Sequence, residues 1–149
     1  MYGPLRRNEY RIEYNVRNFN IEEAKQQIKH SPELLSIAEM YAVADSYGEG
    51  TEEYRETILT AARTYPDKAT AVVNAARVEL ERGNVSSAIR LLENTSATET
   101  PEIQNALGVA YAKDGQYDKA RKWLQRAKAA GNAEAQNNLQ QVAGVMNDL

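Results

Sequence analysis

A repeat with a period of 32 residues is the feature that most constrains how this chain can fold. Similar segments begin at Ala69, Pro101 and Ala133, and each start lies 32 residues after the one before it. A unit of this length is too short to bury an apolar face alone, so consecutive units have to stack. Stacked helical units usually present a surface for binding and rarely carry chemistry. The repeat therefore indicates an architecture and a type of function without naming a partner.

Turn and capping residues divide the chain after residue 19 into short helices. Glycines and prolines, with Asp, Asn, Ser or Thr beside them, separate the apolar segments. The pattern predicts helices at residues 21–30, 32–47, 52–64, 68–82, 85–94, 101–113, 117–130 and 133–146. Helices of about a dozen residues joined by a few residues are typical of antiparallel helical pairs.

The capping signals are clearest in the first half of the chain. Asn20 is placed to cap the first helix through the amide of Glu23. Ser31 is expected to cap the second helix, with Pro32 at its first position, where a missing N–H costs nothing. Thr51 is expected to cap the third helix. The apolar stripe predicted for the second helix consists of Leu34, Leu35, Ala38, Tyr41, Ala42 and Ala44.

Residues 9–17 have a different pattern, because apolar and polar side chains alternate there. The apolar positions are Tyr10, Ile12, Tyr14 and Val16. A period of two predicts a strand, and a lone strand is unstable without a neighbour. No second strand is predicted, so the neighbour could come from an upstream domain or from a second copy, which would give a homodimer through residues 9–17. A third alternative is that the segment lies over the helices or is disordered.

The division into domains follows from these patterns. Residues 1–19 are expected to be an N-terminal strand or arm, which could be the remnant of an upstream domain, and residues 20–149 a helical repeat domain. Residues 1–7 lack the apolar stretch of a signal peptide, although the chain could be one piece of an exported protein whose signal lies upstream. No apolar run approaches the roughly 18 residues that span a bilayer, so direct membrane insertion is not expected.

Composition excludes several classes of function. The chain has 18 basic and 21 acidic residues, a net charge of −3, and no cysteine. A weakly acidic surface argues against nonspecific nucleic-acid binding, which depends on neutralising phosphates with Lys and Arg. Without cysteine the chain has no disulfide, no thiol nucleophile and no Cys-type zinc site.

No set of residues typical of catalysis is found in the sequence. The single histidine, His30, is expected at a helix C-terminus, where a positive charge is favourable. The paired carboxylates Glu22–Glu23 and Glu52–Glu53 fall in predicted first turns, where negative charge stabilises the helix. No glycine-rich run precedes a Lys-Ser or Lys-Thr pair, so no phosphate loop is predicted. We therefore expect no enzymatic activity, no cofactor and no metal site.

The repeat resembles the tetratricopeptide repeat family. The residues that carry the resemblance are Leu107-Gly108-x-x-Tyr111 in one helix and Gly115-x-Tyr117-x-x-Ala120-x-x-x-Leu124-x-x-Ala127 in the next. The resemblance covers roughly residues 33–147 and is strongest for residues 69–130, and it departs from the family at Gln104, where a large apolar residue is usual. It implies an all-α, right-handed helix-turn-helix solenoid, here with a short N-terminal β-strand segment.

The resemblance also implies a binding face, because the first helix of each pair lines the concave side of such arrays. The positions that carry over are Asn74, Arg77, Asn105, Val109, Asn137 and Gln141. Asparagine amides can hydrogen-bond a peptide backbone, and Arg77 can pair with a carboxylate. The alternative is that these residues are solvated or bond between helices. The lysine pair of the family's peptide-carboxylate clamp is absent, so binding of chaperone tails is disfavoured. The expected function is a non-enzymatic protein–protein interaction scaffold with a protein or peptide partner.

A second resemblance concerns the order of segments along the whole chain. Leu5-Arg6-Arg7 and the alternating strand, then Ile21-Glu22-Glu23-Ala24, then helical repeats, look like the C-terminal part of Bacteroidetes cell-envelope proteins in which an OmpA-like domain precedes helical repeats. This resemblance implies that residues 5–17 are the last strand of an upstream domain. It offers an alternative function, a structural spacer or accessory domain, and a periplasmic or cell-envelope location.

Overall fold

Every regular element in residues 19–149, the part of the chain that the computed structural model describes, is helical. The all-α prediction is confirmed for this range. The strand predicted at residues 9–17, and the homodimer through it, lie outside the described residues. The chain divides into two compact units, the first ending at Thr64 and the second spanning Tyr65–Leu149.

The first unit contains three α-helices and a short 3₁₀ turn. The bounds are α1 Ile21–His30, the 3₁₀ turn Pro32–Leu34, α2 Ile37–Tyr47 and α3 Glu52–Thr64. Helix α2 packs against both α1 and α3. Two predicted caps are confirmed, because Asn20 Oδ1 accepts from Glu23 N at 3.1 Å and Thr51 Oγ1 accepts from Tyr54 N at 3.1 Å. The buried apolar side chains of this unit are Ala24, Ile28, Leu35, Met40, Val43, Ala44, Ile58, Leu59, Ala61 and Ala62.

The predicted start of the second helix is wrong, since α2 begins at Ile37 and not at Pro32. The side chain of Ser31 makes no capping bond. Ser36 makes a complete capping box instead: its Oγ accepts from Glu39 N at 3.1 Å, and its own N–H donates to Glu39 Oε1 at 2.9 Å. Two otherwise unpaired N–H groups are satisfied in this way, so Ser36 is the stronger helix start.

The later start also corrects the apolar stripe predicted for this helix. Leu34 lies in the 3₁₀ turn and is 69% exposed, and Ala38 is also exposed. Met40, Val43 and Ala44 are the side chains that α2 buries. The stripe of the helix is therefore centred on residues 40–44.

The second unit contains five helices that follow the predicted pattern closely. Their bounds are α4 Ala69–Glu81, α5 Val85–Glu93, α6 Pro101–Lys113, α7 Tyr117–Ala129 and α8 Ala135–Asn147. Helix α4 packs on α5 and α6 packs on α7, while α6 also contacts α4, α5 and α8. Its core contains Val72, Ala76, Ala88, Leu92, Ile103, Leu107, Ala110, Tyr111, Ala120, Leu124 and Val142. Helix α6 is thus central in this unit.

The 32-residue period is visible in the burial of side chains. Ala71, Ile103 and Ala135 occupy equivalent positions in α4, α6 and α8, and all three are fully buried. The departure at Gln104 has a structural consequence, because this side chain is 4% exposed and its Oε1 has no hydrogen-bond partner within residues 19–149. An amide that replaces a large apolar residue in this way loses its hydrogen bond to water, which is unfavourable.

Candidate functional site

Helices α6 and α8 are joined by a small network of side-chain hydrogen bonds. Asn138 Nδ2 donates to Asn105 Oδ1 at 3.0 Å, and Asn105 Nδ2 donates to Glu134 Oε1 at 3.4 Å. Asn105 is 8% exposed. The side-chain amide of Asn105 therefore links two helices of successive repeats, as in the alternative that the sequence left open.

An open groove of about 230 Å³ lies beside this network, where α6, α7 and α8 meet. We call it the α6–α8 groove. Its lining residues are Val109, Ala112 and Lys113 from α6, Tyr117 and Leu124 from α7, and Asn138, Gln141, Val142 and Val145 from α8. Six of these nine side chains are apolar or aromatic, and Val145 is 41% exposed. The groove is therefore an apolar surface with a few polar groups at its edge.

The polar edge of the groove contains two side-chain amides and one charged side chain. Gln141 is exposed and Asn138 is half-buried, with one of its amide hydrogens given to Asn105. Lys113, in the last turn of α6, is the one charged residue among the described residues that line the groove. Amides can donate to and accept from a peptide backbone, and an ammonium group attracts a carboxylate.

Two of the six predicted binding residues, Val109 and Gln141, line the α6–α8 groove. Asn105 is hydrogen-bonded to Asn138, which lines the groove. Asn137 is exposed on α8 but does not line the groove, and Asn74 and Arg77 lie on α4 outside it. The structure thus gathers part of the predicted set into one groove and leaves the rest elsewhere.

The sequence prediction missed several residues of the groove. Asn138 is related to Asn74 by two steps of 32 residues, so a strict use of the period would have found it. Tyr117 and Leu124 were missed because they come from a second helix, whereas only first-helix positions were carried over. Val145 is a large apolar side chain that α8 leaves exposed, and no signal in the sequence distinguishes it from a buried one.

Helix α6 is also fixed on its α5 side by a hydrogen bond from Tyr111 Oη to the carboxylate of Glu93. Tyr111 is 5% exposed. Burial, and then the hydrogen bond and the negative charge of Glu93, raise the pKa of the Tyr111 hydroxyl to about 12. The neutral phenol is thereby kept as a donor, and α6 is held in place beside the groove.

Two further structural findings concern the described residues only. No group of three or more His, Asp or Glu side chains in residues 19–149 is arranged so that it could hold a metal ion. None of the helices in this range is both long enough and apolar enough to cross a membrane.

Comparison with known proteins agrees with the helical architecture. Residues 73–135 match the family model described as Tetratricopeptide repeat. Among solved structures, the chain is similar to a thermophilic tetratricopeptide repeat protein of Thermus thermophilus, with 19% identity, a TM-score of 0.56, and coverage of 91% of this chain and 75% of that one. At this identity the similarity shows the fold alone. Comparison with curated proteins returns no match.

The resemblance to cell-envelope proteins gains no support from these matches, since neither description mentions a cell envelope or an OmpA-like domain. The tetratricopeptide resemblance does gain support, because the family model covers the two helical pairs α4–α5 and α6–α7 almost completely. Residues 73–135 are similar to tetratricopeptide repeats, and the helical fold is similar to that of a tetratricopeptide repeat protein.

Proposed function

We propose that this chain is a non-enzymatic scaffold for protein–protein interaction and that the α6–α8 groove receives a segment of the partner. Tetratricopeptide repeat proteins are generally protein-interaction scaffolds, and their fold is typically non-catalytic. The observation that carries the proposal is the meeting of Val109 and Gln141, both predicted binding residues, in one open apolar groove.

The size of the groove favours side chains of a peptide over a cofactor. Pockets for small molecules usually have volumes of about 300–1,000 Å³ and enclose most of the ligand. The α6–α8 groove has about 230 Å³ and is open. A groove of this kind accommodates one or two apolar side chains of a chain that runs across it.

The lining residues define the chemistry of the segment that would fit. Val109 and Val145 provide apolar surface for an aliphatic or aromatic side chain. Gln141 is placed to hydrogen-bond the backbone of an extended peptide, and Lys113 favours a carboxylate nearby. The proposed partner segment is therefore extended, with an apolar side chain close to an acidic residue.

The test is a pull-down with the 149-residue chain, followed by measurement of its affinity for the captured protein. Gln141→Glu combined with Val145→Glu places two negative charges in the groove and is expected to abolish capture. The matched control is Gln136→Glu combined with Gln140→Glu, which adds the same charge to exposed positions of the same helix. Equal capture by the groove variant and the wild type, with both folded, contradicts the proposed groove.

The same experiment decides how far the binding face extends. Asn74→Ala combined with Arg77→Ala changes α4 without touching the groove. If the groove alone binds the partner, this variant captures it as well as the wild type. Loss of capture would instead favour the wider concave face that the sequence predicted.

A further inference from the structure

The first unit has a second, larger groove, which has a different composition. It has a volume of about 850 Å³ and lies between α1, the 3₁₀ turn and α3. We call it the acidic groove. Its lining residues are Ile28, Lys29, Pro32, Glu33, Tyr47, Glu52, Glu53, Glu56, Thr57, Thr60, Arg63 and Thr64. All of them belong to the unit that ends at Thr64, and none lies in the residues that match the family model.

The wall of the acidic groove is one face of α3. Seven of the twelve lining residues come from this helix, and Glu53, Thr57, Thr60 and Thr64 recur at spacings of three and four residues. Such a spacing places side chains on one face of a helix. Helix α3 packs on α2, which precedes it in the chain, so α3 is the second helix of this pair. Its surface therefore differs from a concave face lined by first helices.

Among the described residues that line the groove, carboxylates outnumber cations. Glu33, Glu52, Glu53 and Glu56 line it, against Lys29 and Arg63. The guanidinium of Arg55 is shared by two of the glutamates, with Nη1 2.8 Å from Glu52 Oε2 and 3.2 Å from Glu56 Oε2.

The carboxylates of Glu33 and Glu53 are available to form ion pairs with a partner. Both are exposed, and neither makes an ion pair within the part of the chain that the structure describes. They stand on different elements, Glu33 on the 3₁₀ turn and Glu53 on α3. A ligand that satisfied both would therefore have to lie across the groove.

An aromatic ring and apolar side chains complete the groove. Tyr47 lies at the end of α2, and its ring centroid is 4.6 Å from the Nζ of Lys25. The electron-rich ring therefore already attracts one cation. Pro32, which is half-buried, adds apolar surface. A ligand that presents both cations and apolar side chains would be complementary to these features.

We propose that the acidic groove is a second interaction surface, which binds an extended basic peptide segment whose arginine or lysine side chains alternate with apolar or aromatic ones. Cations of such a segment meet Glu33 and Glu53, while its apolar side chains contact Pro32 and Tyr47. The volume exceeds that of the α6–α8 groove more than threefold, which suits several consecutive residues.

The probe for this proposal is a fluorescent ten-residue peptide of alternating arginine and tyrosine, added to the 149-residue chain. An arginine–serine peptide and a glutamate–tyrosine peptide serve as comparisons. We expect the arginine–tyrosine peptide to bind most tightly, the arginine–serine peptide more weakly and the glutamate–tyrosine peptide not at all. Affinity should fall as salt is raised, because exposed charges are screened.

Neutralising the groove carboxylates distinguishes binding at this groove from a general effect of the protein's net charge. Glu33→Gln combined with Glu53→Gln should weaken binding of the arginine–tyrosine peptide roughly three- to twentyfold, as expected for two exposed ion pairs. The matched control is Glu81→Gln combined with Glu99→Gln, which removes the same charge from exposed positions of the other unit. The control should bind within twofold of the wild type, and helicity and melting temperature establish that both variants fold.

Four outcomes would overturn the proposal. Equal weakening of peptide binding in both double variants would show that binding depends only on the net charge of the protein. Equal affinity for the arginine–serine and arginine–tyrosine peptides would show that the apolar side chains of the groove contribute nothing. Absence of binding by the 149-residue chain would show that the groove does not bind a basic peptide. A dimer in light scattering that dissociates in Glu33→Gln/Glu53→Gln would assign the surface to a second copy of the chain.

Discussion

Gly108 and Leu124 lie so close that no side chain fits between them. A Cβ atom on Gly108 would stand 2.5 Å from Cδ2 of Leu124 and 3.2 Å from the carbonyl oxygen of Ala120. Both residues are buried in the core of the second unit. The absence of a side chain at position 108 is what allows α6 and α7 to approach each other, and the contact explains why glycine occurs there inside a helix.

Substitution of two helical glycines should therefore have opposite effects on stability. Gly108→Ala forces Leu124 from its position and should lower the free energy of unfolding, by about 1–3 kcal/mol, and Gly108→Leu by at least as much. At Gly144 in α8, no atom of residues 19–149 outside the local helix backbone would lie within 4 Å of an added Cβ, so Gly144→Ala should raise the free energy of unfolding by about 0.5–1 kcal/mol through helix propensity. Urea unfolding measures both values. A stabilising Gly108→Ala would mean that the helices are not this close.

The repeat could be predicted from the sequence because turn residues and apolar residues recur at equivalent positions in each period. The turns at Gly83 and Gly115 lie one period apart, and the apolar positions around them determine which faces are buried. The error at Pro32 has a physical cause. Ser31 and Ser36 are both acceptable caps by sequence, and only the reciprocal bonds with Glu39 decide between them.

That choice of cap can be tested directly. Ser36→Ala removes the acceptor for Glu39 N and should lower the free energy of unfolding by about 1 kcal/mol. Ser31→Ala removes no side-chain cap and should change it by less than about 0.5 kcal/mol. Thermal or urea unfolding of the two variants side by side gives the comparison. The reverse order would restore the helix start predicted at Pro32.

The hydrogen bond between Asn105 and Asn138 predicts a coupling between α6 and α8. Asn105→Ala breaks two side-chain hydrogen bonds and should cost about 1–2 kcal/mol. In a double-mutant cycle with Asn138→Ala, the two changes should be non-additive by about 0.5–1.5 kcal/mol. Asn137→Ala, at the exposed neighbouring position, is the control and should change stability by less than about 0.5 kcal/mol. Additive effects at positions 105 and 138 would contradict the interhelical role of Asn105.

The candidate site was less predictable than the fold, and Asn105 shows why. An asparagine on the first helix of a repeat has the chemistry to bind a peptide, but it has equal chemistry to bond Asn138 of the next repeat. Sequence determines which helix carries the residue, whereas the distance to the neighbouring helix decides its partner. Val145 is the converse case, because its exposure depends on how the neighbouring helices pack and leaves no signal in the local pattern.

The raised pKa of Tyr111 predicts that the protein loses stability at high pH. Its pKa is raised to about 12 in the folded protein, from about 10 in an unfolded chain. Below pH 10 the phenol is neutral in both states, and the stabilisation associated with the raised pKa is fully present. Between pH 10 and 12 the unfolded state loses the proton first, so the free energy of unfolding should fall by up to about 1.4 kcal/mol per pH unit.

The matched variant for this prediction is Tyr111→Phe, which removes the hydroxyl and its bond to Glu93 while it keeps the ring in the core. Its free energy of unfolding should be lower than that of the wild type at pH 8, and the difference should shrink as the pH approaches 12. Urea unfolding at successive pH values measures this convergence. Absorbance of tyrosinate near 295 nm should show a late-titrating tyrosine in the wild type that is missing from the variant. Parallel stability curves and identical titrations would show that Tyr111 is not held as a neutral donor to Glu93.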